Sequence, residues 1–198
     1  MKIFIKYMVS LRCKLIVTSE LNKMGIQHIT VDQGQVEIPG ELSETQRLEL
    51  TKMLRRKGLE VLDESLSSLI ERTTDMVIDM VRLSDGLPQV EAANYIGNKI
   101  NYDPVELSTI FAEVKGISLD AFVIYHKMEF IKELLLYDQL TIGEISKKLR
   151  YENVEKLTYQ FQKFTGLTPR HFKTMRKIRI MASNGMLAKI APPQPRNR

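Results

Sequence analysis

The stretch Leu140–Lys173, LTIGEISKKLRYENVEKLTYQFQKFTGLTPRHFK, constrains the fold more than any other part of the chain. Thr141 precedes Glu144 by three residues, the spacing at which each side chain satisfies a free amide at a helix start. Ile142, Ile145 and Leu149 then form one apolar face. Leu157, Phe161 and Phe164 recur at helical spacing, while Glu155, Lys156, Thr158, Tyr159 and Gln162 fall on the remaining surface. The second helix is therefore expected to bury one side and offer the other, with Asn153 as its cap. Gly166 supplies a left-handed stop, and Thr168 followed by Pro169 a new start.

A similar unit stands earlier. Val90 to Ile100, with Ala93, Ile96 and Ile100 inward, reads as a first helix and Asn101-Tyr102 as a turn. Asp103 as cap, Pro104 at the first helical position and Glu106 at the third open the next helix. Leu107, Ile110 and Phe111 form its buried side, and Gly116 ends it. Between the two units, Ser118 to Tyr137 reads as a long helix with Leu119, Phe122, Val123, Ile131, Leu134 and Leu135 inward.

These residues resemble the double helix-turn-helix of the AraC/XylS family of transcription regulators. The likeness runs through T-I-G-E-I-S-K-K-L, F-Q-K-F-T-G and L-T-P-R-H-F-K and covers about residues 87–178. It implies two DNA readers on one linking helix. The first would present Val105, Glu106, Ser108 and Thr109 to base edges, and the second Val154, Glu155, Lys156 and Tyr159. Thr and Val suit a thymine methyl, Glu accepts from cytosine, and Lys donates to guanine. Phosphate contacts are expected from Lys147, Lys148, Arg150, Lys173, Arg176, Lys177 and Arg179, with His171 as a clamp or phosphate contact. The chain departs from the family at Thr109 and Tyr159, where arginine is common. It departs also at Phe130, in place of a frequent basic residue, and at Arg150, in a turn position usually given to glycine.

Residues 1–63 show a different rhythm. Lys2 to Met8 alternates as a half-buried strand, with Ile3, Ile5 and, less cleanly, Tyr7 inward and Lys2, Phe4 and Lys6 outward. Cys13 to Met24 is helical through Leu15, Ile16, Leu21 and Met24. His28 to Val31 and Gln35 to Ile38 are short strands around an Asp32-Gln33-Gly34 turn. Ser43 and Gln46 cap a helix with Leu48, Leu50, Met53 and Leu54 inward, and Leu59, Val61 and Leu62 close the sheet. The order is the ferredoxin-like βαββαβ arrangement.

Within it, Met8-Val9-Ser10-Leu11-Arg12-Cys13 resembles the metal loop of heavy-metal-associated domains, M-x-C-x-x-C. Thiolates suit copper(I) or zinc, and a helix N-terminus favours the thiolate. Here Ser10 stands at the first ligand position, so Cys13 remains alone. It is expected to be inert or weakly reactive, with weak copper(I) or zinc binding as the other reading and ligation shared with a second subunit or a small thiol as the exception. Met8 is expected to pack beneath the loop.

Glu64 to Leu83 carries the stripe Leu66, Leu69, Ile70, Thr73, Met76, Val77, Met80 and Val81 and reads as a connecting helix. The stripe could pack on either domain or pair with its twin. The expected organisation is an α+β ferredoxin-like domain at 1–63, a connecting helix at 64–85, an all-α DNA-binding domain of two helix-turn-helix units at 86–180 and a flexible tail at 181–198.

Charge supports this division. Residues 1–85 hold 12 Lys and Arg against 13 Asp and Glu, or −1, and residues 86–198 hold 17 against 11, or +6, so the basic excess lies in the second part. One cysteine excludes an internal disulfide framework and fits a reducing compartment, and no secretory signal or apolar run of membrane-spanning length is present, so a cytoplasmic protein is expected. No glycine-rich phosphate loop or paired histidine ligands point to an enzyme; His28, His126 and His171 lie in three contexts. The leading expectation is a sequence-specific DNA-binding transcription regulator with a sensor-like N-terminal domain. Its partners would be double-stranded DNA, RNA polymerase and, as a homodimer, a second copy. The competing class is a metallochaperone-like interaction module with a degraded reader.

Overall fold

The computed structural model describes residues 1–82, 91–137 and 140–183, with the side chains of 176, 177 and 179–183 excepted. The expected domain break at Ser84–Pro88 and the tail from 184 onward lie outside them. The described residues form two compact units, one of 1–80 with 91–125 and the other of 81–82 with 126–183.

The first unit begins with β1 (Lys2–Lys6), α1 (Leu11–Lys23), β2 (Thr30–Asp32), β3 (Gln35–Glu37), α2 (Glu44–Arg55) and β4 (Glu60–Val61). The strands pair antiparallel in the order β2-β3-β1-β4, with Ile3 opposite Val36 and Ile5 opposite Val61. One face carries a core of Ile3, Ile5, Val36 and Ile38 closed by Val17, Leu21, Leu50 and Leu54 of the two helices, with Met8 fully buried beneath its loop. Ser43 and Gln46 make the expected capping box.

The alternation expected of β1 fails at Phe4. Ile3, Phe4 and Ile5 are all buried, because the second face of the sheet is covered as well. Leu15 and Leu48, expected inward, are exposed; each helix buries only a narrow stripe, held by Val17 and Leu21 in α1 and by Leu50 and Leu54 in α2. The connecting helix, α3 (Glu64–Arg82), buries Leu69, Ile70, Val77, Met80 and Val81 within the chain, and the fully buried Thr73 hydroxyl donates to the Leu69 carbonyl at 2.7 Å.

α4 (Ala92–Ile100) and α5 (Pro104–Lys115) follow, then α6 (Leu119–Tyr137), whose residues up to Tyr125 belong to this unit. Ile96, Leu107, Phe111 and Val114 are fully buried, and Phe111 meets Phe122 edge-on at 5.1 Å. The end of α5 seats directly on the sheet domain. Lys115 lies 5.2 Å from the Phe4 ring centre, and a Cβ on Gly34 would stand 1.9 Å from the Val114 carbonyl oxygen.

The second unit packs the rest of α6 against α7 (Ile142–Lys148), α8 (Val154–Thr165) and α9 (Pro169–Ser183). Its core is Met128, Ile131, Leu134, Leu135, Ile145, Leu149, Leu157 and Phe161. Phe164, expected inward, is 41% exposed, with the Lys132 ammonium 5.6 Å from its ring centre; Phe172 takes the inward place instead, edge-on to Phe161 at 5.5 Å.

Candidate nucleic-acid interface

Each unit builds a helix, a tight left-handed turn and a second helix by the same local chemistry. In the first, Asn101 adopts φ 55°, and the Tyr102 amide donates back to the Gly97 carbonyl at 2.9 Å. In the second, Arg150 adopts φ 50°, and the Tyr151 amide donates to the Ser146 carbonyl at 2.9 Å. These bonds satisfy carbonyls that a helix end otherwise leaves free. The close turn requires Gly97 in α4, since a Cβ there would lie 2.8 Å from the Tyr102 carbonyl oxygen.

The outgoing helices are capped alike. Asp103 accepts from the Glu106 amide and Asn153 from the Lys156 amide, both at 2.8 Å, and Gly116 and Gly166 close α5 and α8 at φ 69° and 76°. Thr141 and Glu144 form the reciprocal box at the start of α7: the Thr141 amide donates to Glu144 at 2.7 Å and the Glu144 amide to the Thr141 hydroxyl at 3.2 Å. The Thr141 amide holds the Glu144 carboxyl below its ordinary value.

The residues expected to read bases stand outside on both helices. On α5, Val105, Glu106 and Thr109 are exposed and Ser108 is half-buried; the Thr109 hydroxyl donates to the Val105 carbonyl at 2.9 Å. On α8, Glu155, Lys156 and Tyr159 are exposed and Val154 is half-buried. Lys156 is already paired, with Glu152 at 2.7 Å, and that bond raises its pKa.

Of the residues expected to hold phosphate, Lys147, Lys148 and Arg150 are exposed around the turn of the second unit. His171 is exposed, its amide capped by the Thr168 hydroxyl at 3.2 Å. The Lys173 ammonium instead donates to the Leu140 carbonyl at 2.9 Å, which ties α9 to the entry of α7. The side chains of Arg176, Lys177 and Arg179 lie outside the described residues. The two units differ in charge: residues 92–116 hold two lysines against three acids, and residues 140–175 hold seven Lys and Arg against three glutamates.

Three supports escaped sequence reasoning. The Lys127 ammonium of α6 sits 3.8 Å from the Tyr151 ring centre, and the Tyr151 hydroxyl donates to Gln160 of α8. Burial lowers the Lys127 pKa to about 8 and raises that of Tyr151. The turn of the second unit is thereby pinned to both neighbouring helices. At Phe130, noted above as a departure from a frequent basic residue, Arg82 of α3 lies 5.3 Å from the ring centre and pairs with Glu133 at 2.7 Å, so a cation comes from another helix. No local pattern announces such contacts.

Residues 96–175 match the family model described as "Helix-turn-helix domain". This segment is similar to that family. The uncharacterized HTH-type transcriptional regulator YtdP of Bacillus subtilis is 28% identical over 82 residues, which are 41% of this chain and 11% of that protein. The chain thus spans only a small part of that relative's length. Among solved structures, the C-terminal domain of AraT, a response regulator from Geobacillus stearothermophilus, is 25% identical with a TM-score of 0.49, covering 56% of this chain and 88% of that one. A regulator from Chromobacterium violaceum, described among AraC-type DNA-binding domain-containing proteins, is 10% identical with a TM-score of 0.49, covering 58% and 96%.

At the other end of the chain, Ser10 caps α1, and its hydroxyl oxygen lies 3.2 Å from the Cys13 sulfur. The bond from Ser10 is the largest influence holding the Cys13 thiol below its ordinary pKa. Among the described residues no group of three His, Cys, Asp or Glu side chains gathers to hold a metal ion. Nor is any helix among them long and apolar enough to cross a membrane.

Proposed function

We propose that the chain is a sequence-specific DNA-binding transcription regulator of AraC type. The observation that carries this reading is the repeated, capped outgoing helix, α5 and α8, each with its far side exposed, inside the segment that matches the helix-turn-helix model. A helix so presented enters a major groove with its first turns at the base edges, while basic side chains around it neutralise phosphate. Val105, Glu106, Ser108 and Thr109 form one reading set, and Val154, Glu155, Lys156 and Tyr159 the other. Lys147, Lys148 and Arg150 hold the backbone beside α8, with His171 at the start of α9. The excess of basic groups in the second unit supports assigning it the larger share of affinity.

Residues 1–63 are proposed as a ferredoxin-like, sensor-related domain, 64–85 as the connecting helix and 86–180 as the DNA-binding domain. The βαββαβ order and the strand order β2-β3-β1-β4 support the first assignment. Ser10 in place of a thiol supports a domain with little metal affinity of its own. RNA polymerase and a second copy of the chain are the protein partners proposed with this reading.

The test is selection of bound duplexes from a random-sequence library, followed by footprinting on the enriched site. An enriched sequence with two protected major-groove segments is expected. Enrichment with one segment would leave a single working reader, and no enrichment would overturn the proposal.

A further inference from the structure

Where the hairpin after β2 meets the end of α5, the first unit holds a cleft of about 470 Å³, within the usual range of small-molecule sites. Its floor is polar. The Lys115 ammonium enters it from the last turn of α5 and donates to Gln35 Oε1 at 2.9 Å, beside the side-chain amide of Gln33. Its wall is formed by Ile117, just before α6, and by Phe122 and Tyr125 of α6.

The charges in this cleft do not balance. Lys14 is paired with Asp32 at 3.4 Å, so those two cancel. Lys115 is half-buried, and among the described residues no carboxylate comes within salt-bridge distance of it, Asp32 and Glu71 acting only from farther off; its companions are an amide oxygen and the face of Phe4. Burial pulls its pKa down to about 8. A half-buried cation without a bonded counter-ion is held at some cost, and an anion that enters beside it recovers part of that cost. One lysine with no bonded carboxylate, two amides and a wall of aliphatic and aromatic side chains together describe the complement of a single carboxylate on an aromatic body. A phosphate dianion would need further donors.

We propose that this cleft binds a small aromatic monocarboxylate, its carboxylate on Lys115 and its ring against Phe122 and Ile117. The cleft borders the seat between hairpin and reader helix: a Cβ on Gly116, which ends α5, would lie 2.4 Å from Gln33 Nε2. A ligand there braces that seat. The site stands apart from the DNA reading proposed above, since binding to the protein alone reports on it.

The experiment is a titration of the full chain with benzoate and with benzamide, its uncharged counterpart, followed by amide chemical shifts. Benzoate is expected to saturate with a Kd on the order of 1 mM, moving the signals of Gln33, Gln35 and Lys115, and benzamide to bind at least ~10-fold more weakly. Lys115→Gln should lose benzoate binding by a similar factor. Should that variant fail to fold, Gln35→Glu decides the matter, because it places a permanent carboxylate on Lys115 and should exclude benzoate. No saturable benzoate response at ~20 mM, equal binding of benzamide, or undiminished binding in Gln35→Glu would each overturn the proposal.

Discussion

The Tyr7 amide donates to the Glu113 carbonyl at 2.7 Å, so the loop after β1 satisfies one of the carbonyls that the end of α5 leaves without a helical partner. The same glutamate receives Lys6 at 3.0 Å and the Tyr7 hydroxyl at 3.3 Å through its side chain. The sheet domain and the first helix-turn-helix are therefore joined backbone to backbone within one compact unit.

Gly34 tests this joint. It holds φ 75°, and an added Cβ would stand 1.9 Å from the Val114 carbonyl oxygen, whereas Gly25, at φ 67°, has nothing within 4 Å. Gly25→Ala should cost about 1–2 kcal/mol, the left-handed penalty alone. Gly34→Ala should cost more than that by at least about 1 kcal/mol, because the hairpin must lift off α5. Chemical denaturation of both variants measures the difference, and equal losses would contradict the close seat.

Arg150 separates stability from binding. A non-glycine residue at φ 50° is strained, and glycine relieves this at some cost in unfolded-state entropy. Arg150→Gly should raise stability by about 0.5–1 kcal/mol while weakening DNA binding through loss of a phosphate contact. A variant with lower melting temperature would show that the guanidinium has a structural task.

Lys127 predicts a pH dependence of unusual sign. Its folded pKa of about 8 lies below the ordinary 10.5, so between these values the unfolded chain holds a proton that the folded one has released. The penalty is full below about pH 8, and stability contributed by this group rises as pH increases toward 10.5. Lys115, lowered to about 8 likewise, acts in the same direction. Lys127→Met should flatten the rise in unfolding free energy from about pH 7.5 to about pH 9.5, and an unchanged slope would contradict the assignment.

Ser10→Cys should convert the loop to a metal site. The Ser10 oxygen already lies 3.2 Å from the Cys13 sulfur, so a second thiolate would stand beside the first. Because Ser10 also caps α1, about 1 kcal/mol of stability should be lost. The full chain is the right material, since Tyr7 and Gly34 are seated on α5. Competition against a chelator, with oligomeric state monitored, should show tight copper(I) or zinc binding by the variant alone; tight binding by the unaltered monomer would sink the idea that Ser10 disarms the loop.

What the sequence disclosed was local. The caps at Thr141, Asn153 and Asp103, the stops at Gly116 and Gly166 and the exposure of Lys156 and Tyr159 follow from spacing along one helix. What it hid was tertiary. Phe4 looked outward-facing because alternation assumes one wet face of the sheet, and nothing near Phe4 signals that α5 covers it. Phe164 fitted the apolar period as well as Phe161 did, yet Phe172 of another helix took the place. Lys127 and Arg82 sit among ordinary polar helix residues, and their partners Tyr151 and Phe130 are distant in sequence or on another element.

The central claim is that the capped helices read DNA with basic support, and its most direct test is a mobility-shift titration on the selected site and on random duplex over a salt series. The unaltered chain should prefer the selected site, with log K falling linearly in log salt by about 0.9 per phosphate neutralised. Lys148→Ala should weaken both duplexes alike and reduce the slope by about one phosphate, while Lys156→Ala should cost about 1–3 kcal/mol on the selected site and little on the random one. No shift on either duplex at ~50 mM salt, or equal losses from both variants on both duplexes, would contradict the account.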